Sequence, residues 1–239
     1  MFRIFILTVV LFSCGAHVSV AADQPPADHK LRVVLVGDST VAEKSGWGPA
    51  FARHLASDAE CIDTASGGQS SKSFLDNGRW QKALALKPDW VLIQFGHNDE
   101  PGKGPNRETD PETTYRANMT RYVDEARAAG AKPVLITSMT RRNFRDGHIV
   151  STLTPYVEVV KRLAAEKQVP LVDLHARSIA FLEKMGPEAA AVMDPPGVKP
   201  GTGDHTHLNE RGAEMIAALI VEDLRTAAPD LAAHFTADK

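Results

Sequence analysis

The sequence is poor in cysteine, in surplus charge and in long apolar runs, and each shortage narrows what the chain can be. Its two cysteines are Cys14 and Cys61. If the first residues are a cleaved leader, Cys61 is left alone, no internal disulfide can form, and stability must come from packing. Lys and Arg number 27 against 30 Asp and Glu, a formal net charge of −3. Such mild acidity offers no basic face for a nucleic acid. The longest apolar run, 4–11 behind Arg3, is too short to span a bilayer, so no membrane insertion of the mature chain is expected. With the small residues Ser19, Ala21 and Ala22 after it, that run reads as a signal peptide over 1–21, which directs the chain to the periplasm or outside the cell. Leu11-Phe12-Ser13-Cys14 keeps open a lipoprotein anchored through Cys14. No repeat, low-complexity tract or linker divides the rest, so a short polar tether over 22–30 and a single domain over 31–239 are expected.

What is present is an alternation. Apolar, β-branched runs at 31–36, 61–65, 90–95, 133–137 and 169–174 are separated by segments of helical spacing at 49–57, 80–86, 111–129, 155–167, 178–185 and 209–226. Near-continuous apolar strands between helices predict a parallel sheet covered on both faces, an α/β fold of three layers. Pro111 suits a first helical turn, Gly130 a C-terminal cap and Asn209 an N-cap.

In such sheets ligands meet the carboxyl ends of the strands, so the residues that close each apolar run matter most. They are Gly37-Asp38-Ser39-Thr40, Ser66-Gly67-Gly68-Gln69-Ser70, Gly96-His97-Asn98-Asp99 and Ser138-Met139-Thr140-Arg141-Arg142, with Asp204-His205-Thr206-His207 before the last helix. A serine hydroxyl attacks a carbonyl when a base takes its proton and donors hold the oxyanion. Ser39 fits the nucleophile, His207 the base, and Asp204 the group that orients the imidazole. The backbone N–H groups of Ser39 and Gly68 and the side-chain amide of Asn98 fit the oxyanion donors. The hydrolase turn G-x-S-x-G is absent, because position 41 is Val, which disfavours an ordinary α/β-hydrolase.

The four ordered blocks GDST, SGGQS, GHND and DHTH resemble the SGNH or GDSL hydrolase superfamily and span nearly the whole expected mature chain. The resemblance implies a flavodoxin-like three-layer α/β/α sandwich on a parallel five-stranded sheet. Within the superfamily, GDST, the run GGQSSKSF from Gly67 to Phe74 and the phrase SMTRRNF from Ser138 to Phe144 are similar to the rhamnogalacturonan acetylesterases, carbohydrate esterase family twelve. That likeness implies a secreted serine esterase removing O-acetyl groups from pectic polysaccharide, with no metal and no other cofactor. The alternatives are an SGNH esterase for another acetylated saccharide or small acyl ester, and a carbohydrate-binding relative without catalysis.

The guanidinium groups of Arg141 and Arg142 could meet galacturonate carboxylates or could be solvated loop charges; Lys72 and Arg79 are weaker candidates. Asp204, His205 and His207 offer metal-ligand types in one loop, but zinc calls for a third or fourth ligand from elsewhere, for which the sequence offers only Asp99 or His97 and no reason to choose either. Trp47 and Trp80 could line a sugar cleft or fill the core. Asp38 is expected to order its turn by hydrogen bonding. The Pro- and Gly-rich segment 186–203 is expected to form one wall of the site.

Overall fold

The computed structural model describes residues 30–195, 197 and 203–237. The expected leader over 1–21, Cys14 and the tether up to residue 29 lie outside the described residues, as do 196 and 198–202 of the segment 186–203.

The strands are β1 (Leu31–Gly37), β2 (Ala59–Asp63), β3 (Trp90–Gln94), β4 (Lys132–Ile136), β5 (Phe144–Arg145), β6 (His148–Ile149) and β7 (Leu171–Val172). The helices are α1 (Gly48–Ala52), α2 (Ser71–Asp76), α3 (Arg79–Ala85), α4 (Arg116–Ala128), α5 (Thr154–Lys167), α6 (Leu174–Met185), α7 (Pro187–Ala190), α8 (Glu210–Ala227) and α9 (Pro229–Ala232). Five strands form one sheet in the order β2-β1-β3-β4-β7, and every neighbouring pair is parallel. The expected parallel five-stranded sheet is the one found.

Side chains of a strand alternate between its faces, and that alternation splits the core in two. Val33, Leu35, Leu92, Val134 and Ile136 pack with Phe51 of α1, Leu182 of α6 and the α8 stripe Ile216, Ile220 and Leu224. Val34, Val36, Val91, Ile93 and Leu135 pack on the other face with Phe74, Trp80, Met119, Tyr122, Val160 and Leu163 from α2 to α5. The stripe on α8 recurs every three or four residues, the period of one helical face. Trp47 and Trp80 are fully buried, so they belong to the core and not to a sugar cleft.

Helix ends follow local chemistry. Asn209 accepts from Gly212 N at 2.8 Å and starts α8. Asp110 accepts from Thr113 N and opens a π-helical turn over Pro111–Tyr115 that runs into α4. Several elements differ from the sequence reading. The fifth strand is only two residues long, because Asp173 caps α6 by accepting from Ala176 N and the helix therefore starts at Leu174. Helix α2 is added after Ser70, whose side chain exchanges hydrogen bonds with Ser73 in a capping box. The antiparallel pair β5 and β6 is also added.

Gly37 closes β1 where no side chain fits. A Cβ there would lie 2.5 Å from Val41 Cγ2 and 2.7 Å from the Gln94 carbonyl oxygen. The second clash is with backbone on the neighbouring strand and cannot be relieved by a rotamer change. Gly37→Ala is expected to destabilise the fold by about 1–3 kcal/mol, read as a lower midpoint of urea unfolding with an unchanged slope.

Candidate active site

The chain leaves β1 for β2 on one side and crosses to β3 on the other, so the carboxyl ends of β1 and β3 flank the switch point where such sheets bind ligands. The turn after β1 is built from buried polar groups. Asp38 is fully buried, and its Oδ1 accepts from Thr40 N at 2.8 Å and Thr40 Oγ at 2.7 Å. Thr40 Oγ in turn accepts from Gln94 Nε2 at 2.6 Å, and Gln94 Oε1 accepts from Trp47 Nε1 at 3.1 Å. Burial raises the Asp38 pKa, but His97 and the two Thr40 donors outweigh it, so the carboxyl titrates below its ordinary range. The second oxygen of Asp38 lies 3.6 Å from His97 Nδ1, beyond hydrogen-bond distance, with both side chains buried. This network holds Ser39 at the half-buried tip of the turn.

His207 reaches Ser39 across the strand ends. Its Nε2 stands 2.8 Å from Ser39 Oγ, and its Nδ1 stands 2.5 Å from Asp204 Oδ2. The other oxygen of Asp204 accepts from the backbone N–H of Thr206 and of His207, each at 2.9 Å. Burial pushes the Asp204 carboxyl up, yet these donors and the imidazole hold it below its ordinary value. An ionised Asp204 accepts a hydrogen bond from Nδ1–H, the tautomer in which Nε2 carries a lone pair facing Ser39 Oγ. Ser45 ties the two halves together: its Oγ donates to the Ser39 carbonyl at 2.7 Å, and its carbonyl accepts from Leu208 N at 2.9 Å.

The loop after β2 closes the third side. Ser66 N donates to the Gly37 carbonyl at 3.1 Å, and a Cβ on Gly67 would stand 3.8 Å from Ser39 Cβ. Gly68 has φ +75°, a region that favours glycine. Asn98 Nδ2 donates one hydrogen to the Gln69 carbonyl at 3.0 Å, which draws the amide against this loop and leaves its second hydrogen available. The backbone N–H groups of Ser39 and Gly68 donate to no acceptor among the described residues. The structure thus gathers Ser39, Gly68, Asn98, Asp204 and His207 from four loops.

Arg141 and Arg142, read from the sequence as either substrate contacts or solvated loop charges, both engage groups of the protein itself. Arg142 is 5% exposed. Its guanidinium pairs with Asp194 at 3.0 Å and donates to the carbonyls of Asp204 at 2.9 Å and His207 at 2.7 Å. Its backbone N–H donates to the His205 carbonyl at 2.8 Å. A buried guanidinium must be paired, and here the pairing braces the loop that carries Asp204 and His207. Arg141 pairs with Glu100 at 2.6 Å and reaches Thr152 and the His97 carbonyl. Asp194 brings the described start of the segment 186–203 beside that loop, and Asn209 Nδ2 donates to the Val192 and Asp194 carbonyls. Sequence reasoning missed this brace, and it missed Gln94, whose only signal was a polar residue closing an apolar strand.

A model of the GDSL-like Lipase/Acylhydrolase family matches residues 35–215. The chain belongs to that family. It is a carboxylic-ester hydrolase of the SGNH type, as the four blocks implied. It is 36% identical over 212 residues to rhamnogalacturonan acetylesterase RhgT of Bacillus subtilis, covering 81% of this chain and 89% of that protein. The probable rhamnogalacturonan acetylesterase YesY of the same organism is 35% identical over 201 residues, covering 81% and 92%. Among solved structures, the YxiM protein of B. subtilis superimposes with a TM-score of 0.70 at 26% identity, over 82% of this chain and 56% of that one. The acetylxylan esterase Axe2 of Geobacillus stearothermophilus shares the fold, with a TM-score of 0.60 at 19% identity over 81% of this chain and 93% of that one.

Beside the site, Asp99 is buried and accepts from Ser71 Oγ at 2.5 Å and Thr109 Oγ at 3.0 Å. Burial dominates and pushes its carboxyl from 3.8 to about 7. Burial likewise lifts Asp63 to about 7. Each group binds its proton more tightly folded than unfolded, so neither penalises folding below about pH 4, and each costs stability as pH rises from there to about 7. Asp99→Asn is expected to reduce the fall in melting temperature between pH 5 and pH 8, measured by calorimetry at both pH values.

Proposed function

We propose that the protein is a serine acetylesterase that removes O-acetyl groups from rhamnogalacturonan outside the cytoplasm. The observation that carries this reading is the His207 imidazole held between Asp204 and Ser39 Oγ at hydrogen-bond distance from each. Similarity to two proteins named as rhamnogalacturonan acetylesterases supports the substrate, and the leader-like run over 1–21 supports export.

In this mechanism His207 Nε2 takes the proton of Ser39 Oγ as the oxygen attacks the acetyl carbonyl carbon. The resulting oxyanion accepts from the backbone N–H groups of Ser39 and Gly68 and from the free hydrogen of Asn98 Nδ2. Collapse breaks the bond to the sugar oxygen, which leaves with the proton from Nε2, and the acetyl group stays on Ser39. Water then adds with His207 again as base, and acetate leaves. Asp204 stays ionised throughout and stabilises the imidazolium.

Ser39→Ala is expected to lower acetate release from acetylated rhamnogalacturonan by about five or six orders of magnitude while the melting temperature stays near that of the wild type. An active Ser39→Ala protein would exclude the mechanism. Asn98→Ala is expected to lower kcat about a hundredfold to a thousandfold with little change in KM. The wild-type rate is expected to fall at acid pH, because a protonated His207 cannot accept the serine proton; a rate flat into acid contradicts His207 as base. Release from acetylated xylan but not from rhamnogalacturonan would keep the chemistry and replace the substrate.

A further inference from the structure

With Arg141 and Arg142 committed inside the fold, another guanidinium stands at the edge of the site. Arg107 is half-buried, and its Nη1 lies 3.8 Å from where a Cβ on Gly68 would be. It is held there by its neighbours. Arg107 Nε donates to the Lys103 carbonyl at 2.7 Å, Arg107 N donates to the Gly104 carbonyl at 2.9 Å, and Lys72 Nζ on α2 pins the same loop by donating to the Pro105 carbonyl at 2.7 Å. Most arginines around the sheet, including Arg32, Arg53, Arg116, Arg121, Arg162 and Arg177, pair with a carboxylate within 4.0 Å. Arg107 has no carboxylate partner among the described residues, so its Nη hydrogens remain available to a ligand.

The guanidinium opens into a cavity of about 430 Å³ that Gly68 itself lines, together with Gln69, Ser73, Asp76, Asn77 and Asn106. That volume suits a small ligand. The lining is made of amides, a hydroxyl, one carboxylate and one guanidinium, with no large apolar side chain. Such a surface matches the hydroxyl groups of a saccharide, and the fixed fork of an arginine matches a carboxylate. The cavity and the proposed oxyanion donor share Gly68, so a sugar seated in it would be next to the acyl group under attack.

We infer that this cavity is a subsite for a uronate of the bound polysaccharide, with the Arg107 guanidinium pairing with its carboxylate and Gln69, Asn77, Asn106 and Asp76 taking its hydroxyl groups. The inference rests on the acetylesterase reading and adds to it the feature that selects an acidic over a neutral chain. It also explains why Lys72 anchors the loop: the anchor fixes the position of the guanidinium relative to Gly68.

The test is calorimetric titration of the Ser39→Ala protein with deacetylated rhamnogalacturonan oligosaccharides, and with the same oligosaccharides after reduction of their carboxyl groups to alcohols. Reduction is expected to weaken binding about tenfold, and the Ser39→Ala/Arg107→Ala protein is expected to bind both forms alike. Raising NaCl is expected to weaken binding of the acidic form alone, a measurement that needs no variant at position 107. Equal affinity for the two forms, no binding of either, or discrimination that survives loss of Arg107 would each overturn the assignment. Hydrolysis of 4-nitrophenyl acetate by the wild type tests the esterase reading separately. An inert wild type that still discriminates between the two oligosaccharides would sink the esterase and leave the subsite standing.

Discussion

The contact between His207 Nε2 and Ser39 Oγ joins residues 168 positions apart, and the geometry of the site depends on keeping its two ends in register. Neither end is held by an element of regular structure. Ser39 sits two residues past Gly37, the end of β1, and His207 sits two residues ahead of the Asn209 cap of α8. Each end is tied instead to buried polar groups by hydrogen bonds. On one side Asp38, Thr40, Gln94 and Trp47 hydrogen-bond in a chain beneath the turn. On the other, Arg142 gathers the carbonyls of Asp204 and His207 around a charge already paired with Asp194.

Buried polar groups are costly when unpaired, so each network resists small displacement. The proton transfer proposed between Ser39 and His207 requires that property, because a heavy-atom distance of 2.8 Å leaves little room for drift. Ser45 links the networks by hydrogen bonds from one turn to each end. The loop after β2 serves a different purpose. Gly67 brings bare backbone against Ser39, Gln69 accepts from Asn98, and the Gly68 N–H between them meets no acceptor among the described residues. Rigid hydrogen-bonded turns on two sides and an unfilled donor edge on the third give the cleft its chemical asymmetry.

The same contrast runs through the arginines. Arg142 is enclosed and fully engaged, Arg141 is tied to Glu100, and Arg107 keeps its outer nitrogens towards a polar cavity. One residue type at three positions meets three different sets of partners. This is why the double arginine after β4 could be read two ways from the sequence. Charge and position past a strand end are visible in a sequence, but the partner that consumes a charge is not.

The five apolar runs were enough to specify the parallel sheet, because β-branched strands buried on both faces have almost no other stable arrangement. The blocks at their ends were enough to nominate Ser39, Gly68, Asn98, Asp204 and His207, because a parallel sheet brings its carboxyl ends to one edge. Short-range chemistry was also legible at Asn209, whose amide oxygen caps α8 within three residues. What the tertiary structure alone decided was pairing at long range. The shortening of β7 by the Asp173 cap was a local competition that the apolar pattern of 169–174 concealed. The fates of Arg141, Arg142 and Arg107 depended on residues between 4 and 65 positions away, and a hydrogen bond acts only between groups that the whole fold has already brought within about 3 Å.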